Sequence, residues 1–146
     1  MLSTQNFVFM GEFEVAVDVK NRIMIPSRWR AEMGNNIVVS DGFEGAVEIR
    51  TKAVFQEYYH KLCSNDLYSK HVRILKRKIL GTAHDIVLDK WSRFVIPNSL
   101  NKGFKGSVIM RGNGDSIEIW NKKEYEEWSE KEENSLESAA EAIAKN

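Results

Sequence analysis

The sequence predicts an α+β fold in which two similar half-units, each ordered β-β-α-β-β-α, form one small β-barrel with flanking helices. The first observation is an internal repeat. The pattern Asp-x-x-x-Arg-x-x-x-Pro, preceded by an apolar run, occupies residues 18–26 and returns at 89–97, and Val47-Glu48-Ile49 likewise returns as Ile117-Glu118-Ile119. Two copies are too few for a solenoid. Because four short strands cannot bury both of their faces alone, we expect the two halves to share a core about a pseudo-two-fold axis.

The first half begins with a strand and a tight turn. Loose apolar alternation over 7–17 predicts the strand. Asp18-Val19-Lys20-Asn21 predicts a hairpin turn, because Asn tolerates positive φ and Asp bonds nearby backbone groups. Pro26 has the φ that suits a helix start. The other predicted elements are a return strand over 22–25, a helix over 27–33 closed by Gly34, strands over 37–40 and 46–50, and a helix that follows Thr51 and runs to about Leu62.

A basic amphipathic helix is predicted between the halves, over 66–80. Its apolar residues fall at helical spacing and are expected to form a buried stripe, with the basic residues largely on the opposite side. Such a charged face is commonly only solvated, but it could also contact phosphates or an acidic face of another subunit. The predicted stripe is Tyr68, Val72, Leu75 and Ile79, and the basic residues are Lys70, Arg73, Lys76, Arg77 and Lys78.

The second half repeats the same order of elements. A short segment ends at Gly103, and Gly112-Asn113-Gly114-Asp115 is a strong hairpin signal between the last two strands. A final helix starts near Lys122, and the Ala- and Glu-rich chain after Ser135 either extends it or frays. The predicted organisation is a first repeat at 7–62, a linking helix at 63–80, a second repeat at 81–134 and an acidic, Ala-rich tail at 135–146.

Composition narrows the function classes. The 146 residues suit one domain with a real core, and 42% apolar and 29% charged residues describe an ordinary globular protein. We expect neither a membrane span nor a secretion signal, because no apolar run is long enough and the N-terminus lacks the charged-then-apolar layout. Cys63 is alone, which excludes an internal disulfide and favours the reducing cytoplasm.

The charge distribution is asymmetric although the net charge is zero. Residues 60–93 contain eight Lys or Arg against three Asp or Glu, whereas residues 118–146 contain nine acidic residues against four basic ones. The chain is therefore predicted to present a basic face and an acidic tail, a pattern that indicates charged partners.

The duplicated phrase resembles the MraZ family, which is related to the AbrB-type swapped-hairpin barrel transcription factors. The resemblance covers nearly the full length, through Met10-Gly11, both Asp-x-x-x-Arg-x-x-x-Pro motifs, the Phe43-Glu44 turn and Glu118-Ile119-Trp120. It departs at Asn21 and Ser92, where the family usually has Gly before the arginine. Asn reaches the left-handed backbone region at small cost and Ser less readily. We therefore expect the second turn to differ in conformation or to approach its ligand less closely.

The resemblance implies a tandem AbrB-like barrel acting as a cytoplasmic, nucleoid-associated transcriptional regulator. It implies binding of G-containing direct repeats in double-stranded DNA, upstream of the division and cell-wall gene cluster that includes the protein's own gene. It also implies a homo-oligomeric ring. The residues tied to DNA contact are Arg22 and, by the repeat, Arg93.

The chemistry of these arginines suits DNA reading. A guanidinium donates two parallel hydrogen bonds to O6 and N7 of guanine, and a two-stranded ribbon fits the major groove. Phosphates would be held by further cations, which give position rather than sequence. Those candidates are Lys20, Lys90, Arg28 and Arg30.

Asp18 and Asp89 are interpreted as residues that orient the turns, because phosphate repels carboxylates. Each can accept from backbone N–H groups of its turn or hold the arginine four residues later, and Asn21 and Ser92 shape the same turns. The plain alternative is that each Asp–Arg pair only braces its hairpin. Bracing and binding are compatible.

A ring requires a heterologous interface between subunits. The large aromatic residues are candidates for it, although such residues more often belong to the core. These candidates are Trp29, Tyr59, Trp91 and Trp128.

No enzyme is predicted. His60, Cys63, His71 and His84 form a weak metal pattern, and Gly112-Asn113-Gly114 is not a phosphate loop because no helix opens directly after it. We expect no metal, cofactor, small-molecule substrate or membrane partner. The alternative to DNA reading is a protein-interaction scaffold or antitoxin-type barrel whose acidic tail binds a basic partner.

Overall fold

A computed structural model describes residues 9–64 and 68–145, and in these ranges it contains eight strands and five α-helices. Two short 3-10 segments, Asn98–Leu100 and Glu133–Ser135, complete the described elements. The elements in chain order are β1 (Glu12–Ala16), β2 (Arg22–Met24), α1 (Ser27–Met33), β3 (Asn36–Asp41), β4 (Val47–Thr51), α2 (Lys52–Cys63), α3 (Lys70–Thr82), β5 (His84–Val87), β6 (Arg93–Val95), β7 (Ser107–Gly112), β8 (Ile117–Asn121), α4 (Lys122–Glu132) and α5 (Leu136–Ala144).

The predicted α+β class is confirmed, and the two halves follow each other in the same order with one difference. The second half has only the 3-10 segment Asn98–Leu100 where the first half has α1. The short polar side chains of Asn98, Ser99 and Asn101 compete for backbone groups and disfavour helix, whereas α1 contains Arg, Ala, Glu and Met. The predicted helix at this place in the second half is therefore wrong.

The strands are exchanged between the halves. The six-stranded antiparallel sheet has the order β1-β7-β8-β4-β3-β5, so the first strand of each half pairs with the third strand of the other half. The second strands, β2 and β6, pair with each other in a separate two-stranded ribbon. The predicted hairpin between β1 and β2 reduces to one bridge near the turn, Val17 to Ile23.

One hydrophobic core is built from equivalent residues of both halves. Ile23 and Phe94 face it from the ribbon, and Ile49 and Ile119 face it from the sheet. Trp29 is completely buried there, and its Nε1–H donates to the Met10 carbonyl at 3.1 Å. Trp29 is therefore a core residue, and its candidacy for a subunit interface is wrong because no part of it is accessible.

The linking helix starts later than predicted. Ser69 caps α3 by accepting from the backbone N–H of Val72. Tyr68 lies before this cap, and its side chain is 88% exposed instead of buried. Val72 and Ile79 are buried as predicted.

Some predicted boundaries fall outside the described residues. They are residues 7 and 8 of the first predicted strand, residue 66 at the start of the predicted linking helix, and residue 146 of the tail. In the described ranges, no helix combines the length and the apolar character that a membrane crossing requires.

Candidate nucleic-acid interface

The two repeated turns have the same backbone. Asn21 N–H donates to the Asp18 carbonyl and Ser92 N–H to the Asp89 carbonyl, both at 2.9 Å. Asn21 has φ 60° and Ser92 has φ 61°, so both lie in the left-handed region. The expectation that Ser92 gives a different turn is wrong, because the surrounding hydrogen bonds hold serine in a conformation that it reaches less readily than glycine.

Each turn is closed by its aspartate. Asp18 Oδ1 accepts from the backbone N–H groups of Lys20 and Arg22, both at 2.9 Å, and its Oδ2 accepts from Arg22 Nε at 2.6 Å. Asp89 repeats this pattern with Trp91 and Arg93, with an Nε distance of 2.8 Å. One carboxylate thus braces the turn and fixes the arginine at the same time.

These contacts lower the pKa of both aspartates. For Asp18 the main cause is the hydrogen bond from the backbone N–H of Arg22. For Asp89 the largest single effect is partial desolvation, which raises the pKa, but the hydrogen bonds from Arg93 and Trp91 and the arginine charge together outweigh it. Both carboxylates therefore stay ionised below the pH at which a free aspartate takes up its proton.

The ribbon brings both arginines to one face. In the β2–β6 register, Arg22 lies opposite Val95 and Met24 lies opposite Arg93, with Ile23 and Phe94 paired between them. Because side chains alternate along strands, the two arginines share a face and stand diagonally, about 7–8 Å apart at the backbone. Arg22, Met24, Arg93 and Val95 are together called the arginine face.

Sequence reasoning placed one arginine at each of two turns and did not foresee this shared face. The pairing of β2 with β6 creates it, and no local pattern predicts that pairing. The side chains of Arg22 and Arg93 are 30% and 20% exposed, so neither is sealed inside the protein.

A cavity of about 510 Å³ lies beside the arginine face. Arg22 and Arg93 line it together with Arg30, whose Nε donates to the Ile25 carbonyl at 2.8 Å and is thereby anchored. Asp18 and Glu14 also line it. The pKa of Glu14 is lowered, first by a hydrogen bond from Ser107 and then by Lys122. The cavity therefore offers three cations, and its acidic groups have cationic or hydroxyl partners.

The other predicted cations differ in accessibility. Lys20, Lys90 and Arg28 are exposed, and Arg30 is half-buried. Lys90 also has a contact beside the second arginine: its Nζ lies 4.4 Å from the centre of the Trp91 ring.

Trp91 makes a contact at this site that sequence reasoning did not predict. Arg93 Cζ lies 4.5 Å from the centre of its ring, and the side chain is 51% exposed. The ring thus covers part of the second arginine. Its place next to Lys90 and two residues before Arg93 was the available signal, because cations commonly stack on tryptophan.

The chain was compared with known protein families and characterised proteins. Residues 8–78 and 79–146 each match the family described as MraZ protein, whose description likens it to antitoxins. The two matches fit the tandem halves.

Similar proteins named Transcriptional regulator MraZ occur in several bacteria. The one from Mesoplasma florum is 34% identical over 93% of this chain and 95% of its own length. The one from Ureaplasma parvum is 32% identical over 95% of this chain and 99% of its own length. The one from Leuconostoc citreum is 30% identical over 93% of this chain and 96% of its own length. With both halves matched and relatives of this similarity over nearly the full length, the chain belongs to the MraZ family.

Proposed function

We propose that this protein is a DNA-binding transcriptional regulator that reads guanines with Arg22 and Arg93 from the arginine face. The observation that carries the proposal is the convergence of two aspartate-held arginines on one face of a two-stranded ribbon. Ribbons of this kind fit the major groove, and arginine is the commonest reader of guanine there. The names of its relatives support the same class of function.

The aspartates prepare the arginines for this task. The hydrogen bonds described for Arg22 and Arg93 use Nε, so the terminal Nη groups form the fork that meets the base edge. A side chain held in place before binding loses less conformational freedom on binding. The carboxylates approach the DNA as members of ion pairs, which limits their repulsion of phosphate.

The neighbouring cations position the DNA backbone. Arg30 lines the same cavity as the two arginines, Lys20 and Lys90 lie in the turns that precede them, and Arg28 lies on α1. All four are proposed to contact phosphates. Neutralising about four phosphates gives a slope of roughly −4 in log affinity against log salt concentration. Steep salt dependence is therefore expected alongside the sequence preference.

Assembly explains why repeated DNA sites suit this chain. In this proposal the exchanged strands form a swapped-hairpin barrel, and several barrels assemble into a homo-oligomeric ring that repeats the arginine face at fixed spacing. Direct repeats upstream of its own gene, in the division and cell-wall cluster, then engage several subunits at once. Such multivalency raises overall affinity by about 10²–10⁴ without new contacts. The protein acts in the cytoplasm, on the nucleoid.

The test uses the DNA immediately upstream of the gene in a binding titration at fixed salt concentration. Arg22→Ala should lower specific affinity about five- to 150-fold, because a bidentate arginine–guanine pair is worth about 1–3 kcal/mol. Arg22→Lys keeps the charge but loses the fork, so it should lose specificity while retaining nonspecific binding.

Lys61→Ala is the matched control, because it removes one exposed charge from α2, away from the arginine face. The proposal fails if Arg22→Ala binds the upstream DNA as tightly as the Lys61→Ala control does.

A protein-interaction scaffold is the second candidate function. The exposed, acidic C-terminal helices favour it, as does the family's likeness to antitoxins. This candidate predicts no preference for the upstream DNA over random DNA at any salt concentration.

A further inference from the structure

The strand β1 lies at an edge of the six-stranded sheet, and β7 is its only strand partner among the described residues. Val17 N–H donates to the Gly106 carbonyl at 2.9 Å, and the antiparallel pairing with β7 continues from there through the whole of β1. In such a pair the N–H and C=O groups of successive residues point alternately toward the partner and away from it. Those of Glu12, Glu14 and Ala16 therefore point away from β7 and form an open edge.

The contact of Met10 shows what this open edge faces. The Met10 carbonyl points to the same side of the strand as the carbonyl of Glu12, and it accepts from Trp29 Nε1 of α1 at 3.1 Å. The cavity of about 510 Å³ beside the arginine face is lined by residues 13–16 of β1 and by residues 24–27, where β2 ends and α1 begins. The open edge of β1 thus runs along this cavity, which is called the β1 cleft.

The β1 cleft is closed at both ends. The bridge between Val17 and Ile23 closes it near the first turn, and the hydrogen bond between Trp29 and Met10 closes it at the other end. Between these closures lies β1, whose five residues span about 17 Å. An added strand of about five residues matches this length, which is that of an ordinary short strand.

The β1 cleft combines an apolar floor with a cationic rim. Phe13 and Val15 line it and pack against the hydrophobic core. The two arginines of the arginine face and Arg30 supply the rim. Arg30 is anchored by the Ile25 carbonyl, which is a neutral group, so this contact does not cancel its charge.

The two carboxylates that line the β1 cleft are already engaged. Glu14 accepts from Ser107 Oγ at 3.0 Å and pairs with Lys122 at 3.2 Å. Asp18 holds its turn and Arg22. The uncompensated charge of the cleft is therefore positive, and it favours a partner that brings carboxylates.

The strand β5 forms the opposite edge of the sheet and provides a comparison. It occupies the place of β1 in the second half, so Val87 corresponds to Ala16. Its residue Val87 also points its N–H away from the neighbouring strand, because Leu88 N–H is the one that donates, to the Asn35 carbonyl at 2.8 Å. The second half has a neutral Asn101 where the first half has Arg30. An open edge and the third cation thus occur together only in the first half.

We propose that the β1 cleft takes an extended, acidic segment of another protein as an added strand beside β1. The main chain of the segment pairs with the open edge, its alternate side chains rest on the apolar floor, and the carboxylates between them meet Arg22, Arg30 and Arg93. A peptide is the occupant because DNA brings phosphates but no row of N–H and C=O groups that could pair with a strand edge. Docking does not depend on the reading of DNA. Its consequence does rest on the proposed function: a docked segment covers Arg22 and Arg93 and excludes DNA.

The first experiment titrates the full-length protein with a blocked hexapeptide in which valine and glutamate alternate. Hydrogen exchange followed by mass spectrometry should show saturable slowing, about tenfold or more, at the outward N–H groups of Glu14 and Ala16. The N–H of Val87 in β5 should exchange at an unchanged rate. A hexapeptide with lysine in place of glutamate should not bind.

The second experiment removes one outward donor. Proline is tolerated in an edge strand where the N–H faces away from the ladder, so Ala16→Pro keeps the bonds to β7. It should raise the dissociation constant of the valine–glutamate peptide about tenfold or more, whereas the matched control Val87→Pro should change it less than about twofold. Circular dichroism checks that both variants fold. Arg30→Gln leaves the strand intact and should weaken peptide binding about threefold or more.

The outcomes that overturn the inference are separate from those that overturn the reading of DNA. Absence of saturable peptide binding overturns the docking. Equal binding to Ala16→Pro and to the unmodified protein also overturns it and leaves the arginines as a surface for anions only. In a titration with the upstream DNA, the peptide should displace DNA from the unmodified protein, and simultaneous binding of both would overturn the exclusion. If the peptide docks as expected and the protein does not bind the upstream DNA, the docking stands and the proposed function fails.

Discussion

The two turns at the ends of the β2–β6 ribbon share the same backbone conformation and the same Asp–Arg clamp, but they differ in the residue that lies beside the arginine. In the first turn Val19 is 99% exposed, and Lys20 stands at the position that Trp91 occupies in the second turn. In the second turn Trp91 stacks on Arg93, whose side chain is 20% exposed against 30% for Arg22. The repeated motif thus fixes turn geometry, while the residues between its aspartate and arginine set the access to the fork. We expect the two arginines to contribute unequally.

The largest expected effect comes from removing each arginine in turn. Arg22→Ala should reduce specific DNA affinity about 100-fold and Arg93→Ala about tenfold, because Trp91 already occupies part of the surface of Arg93. Titrations of both variants on the upstream DNA check the order. Equal losses would show that the stacked ring does not limit Arg93.

A smaller effect should follow when the second turn is made more like the first. Trp91→Lys places at this position the residue found in the first turn, Lys20, and removes the ring from Arg93. We expect DNA affinity to rise about three- to tenfold, in line with the loss of a cation–π contact of about 0.5–1 kcal/mol and the gain of one phosphate contact. A double-mutant cycle with Arg93→Ala measures the coupling, and the reciprocal Lys20→Trp variant should lower affinity.

Glycine substitutions test the positive φ that both turns share. Ser92→Gly should raise the free energy of unfolding by about 1 kcal/mol, and Asn21→Gly by about half as much, because serine reaches the left-handed region at greater cost than asparagine. Urea denaturation of the two variants checks the difference. A larger gain at Asn21 would contradict the assignment of strain to Ser92.

Acid should release both clamps without unfolding the protein. The pKa of each aspartate is lowered in the fold, so the clamp contributes fully above the pKa of an unfolded aspartate, about 3.9, and is lost as the pH falls through the lower folded value. The NMR chemical shifts of the Arg22 and Arg93 Nε–H groups should keep their clamped values at pH 4 and move toward those of a free arginine at lower pH. In Asp18→Asn only the Arg22 signal should change at neutral pH.

The sequence predicted the local elements well, because their signals are local. The turn residues, the helix after Pro26 closed by Gly34 and the cap at Thr51 all follow from the preferences of single residues. The arginine face did not follow, because it depends on the pairing of β2 with β6, two three-residue strands about seventy residues apart in the sequence. The sequence left Trp29 between a subunit interface and the core, because the residues that pack around it come from distant strands, including Phe13 of β1.

The exchange of strands has a consequence for the synthesis of this chain. Glu12 pairs with Arg111 and Ala16 with Ser107, so the first strand lacks its partner until most of the protein has left the ribosome. At about 5–20 residues per second this delay lasts several seconds, during which an unpaired strand edge is open to aggregation or chaperone binding. A prematurely terminated product that ends before β7 lacks both β7, the partner of β1, and β8. Such a product cannot complete the core. Translation must therefore be nearly complete before a competent regulator exists.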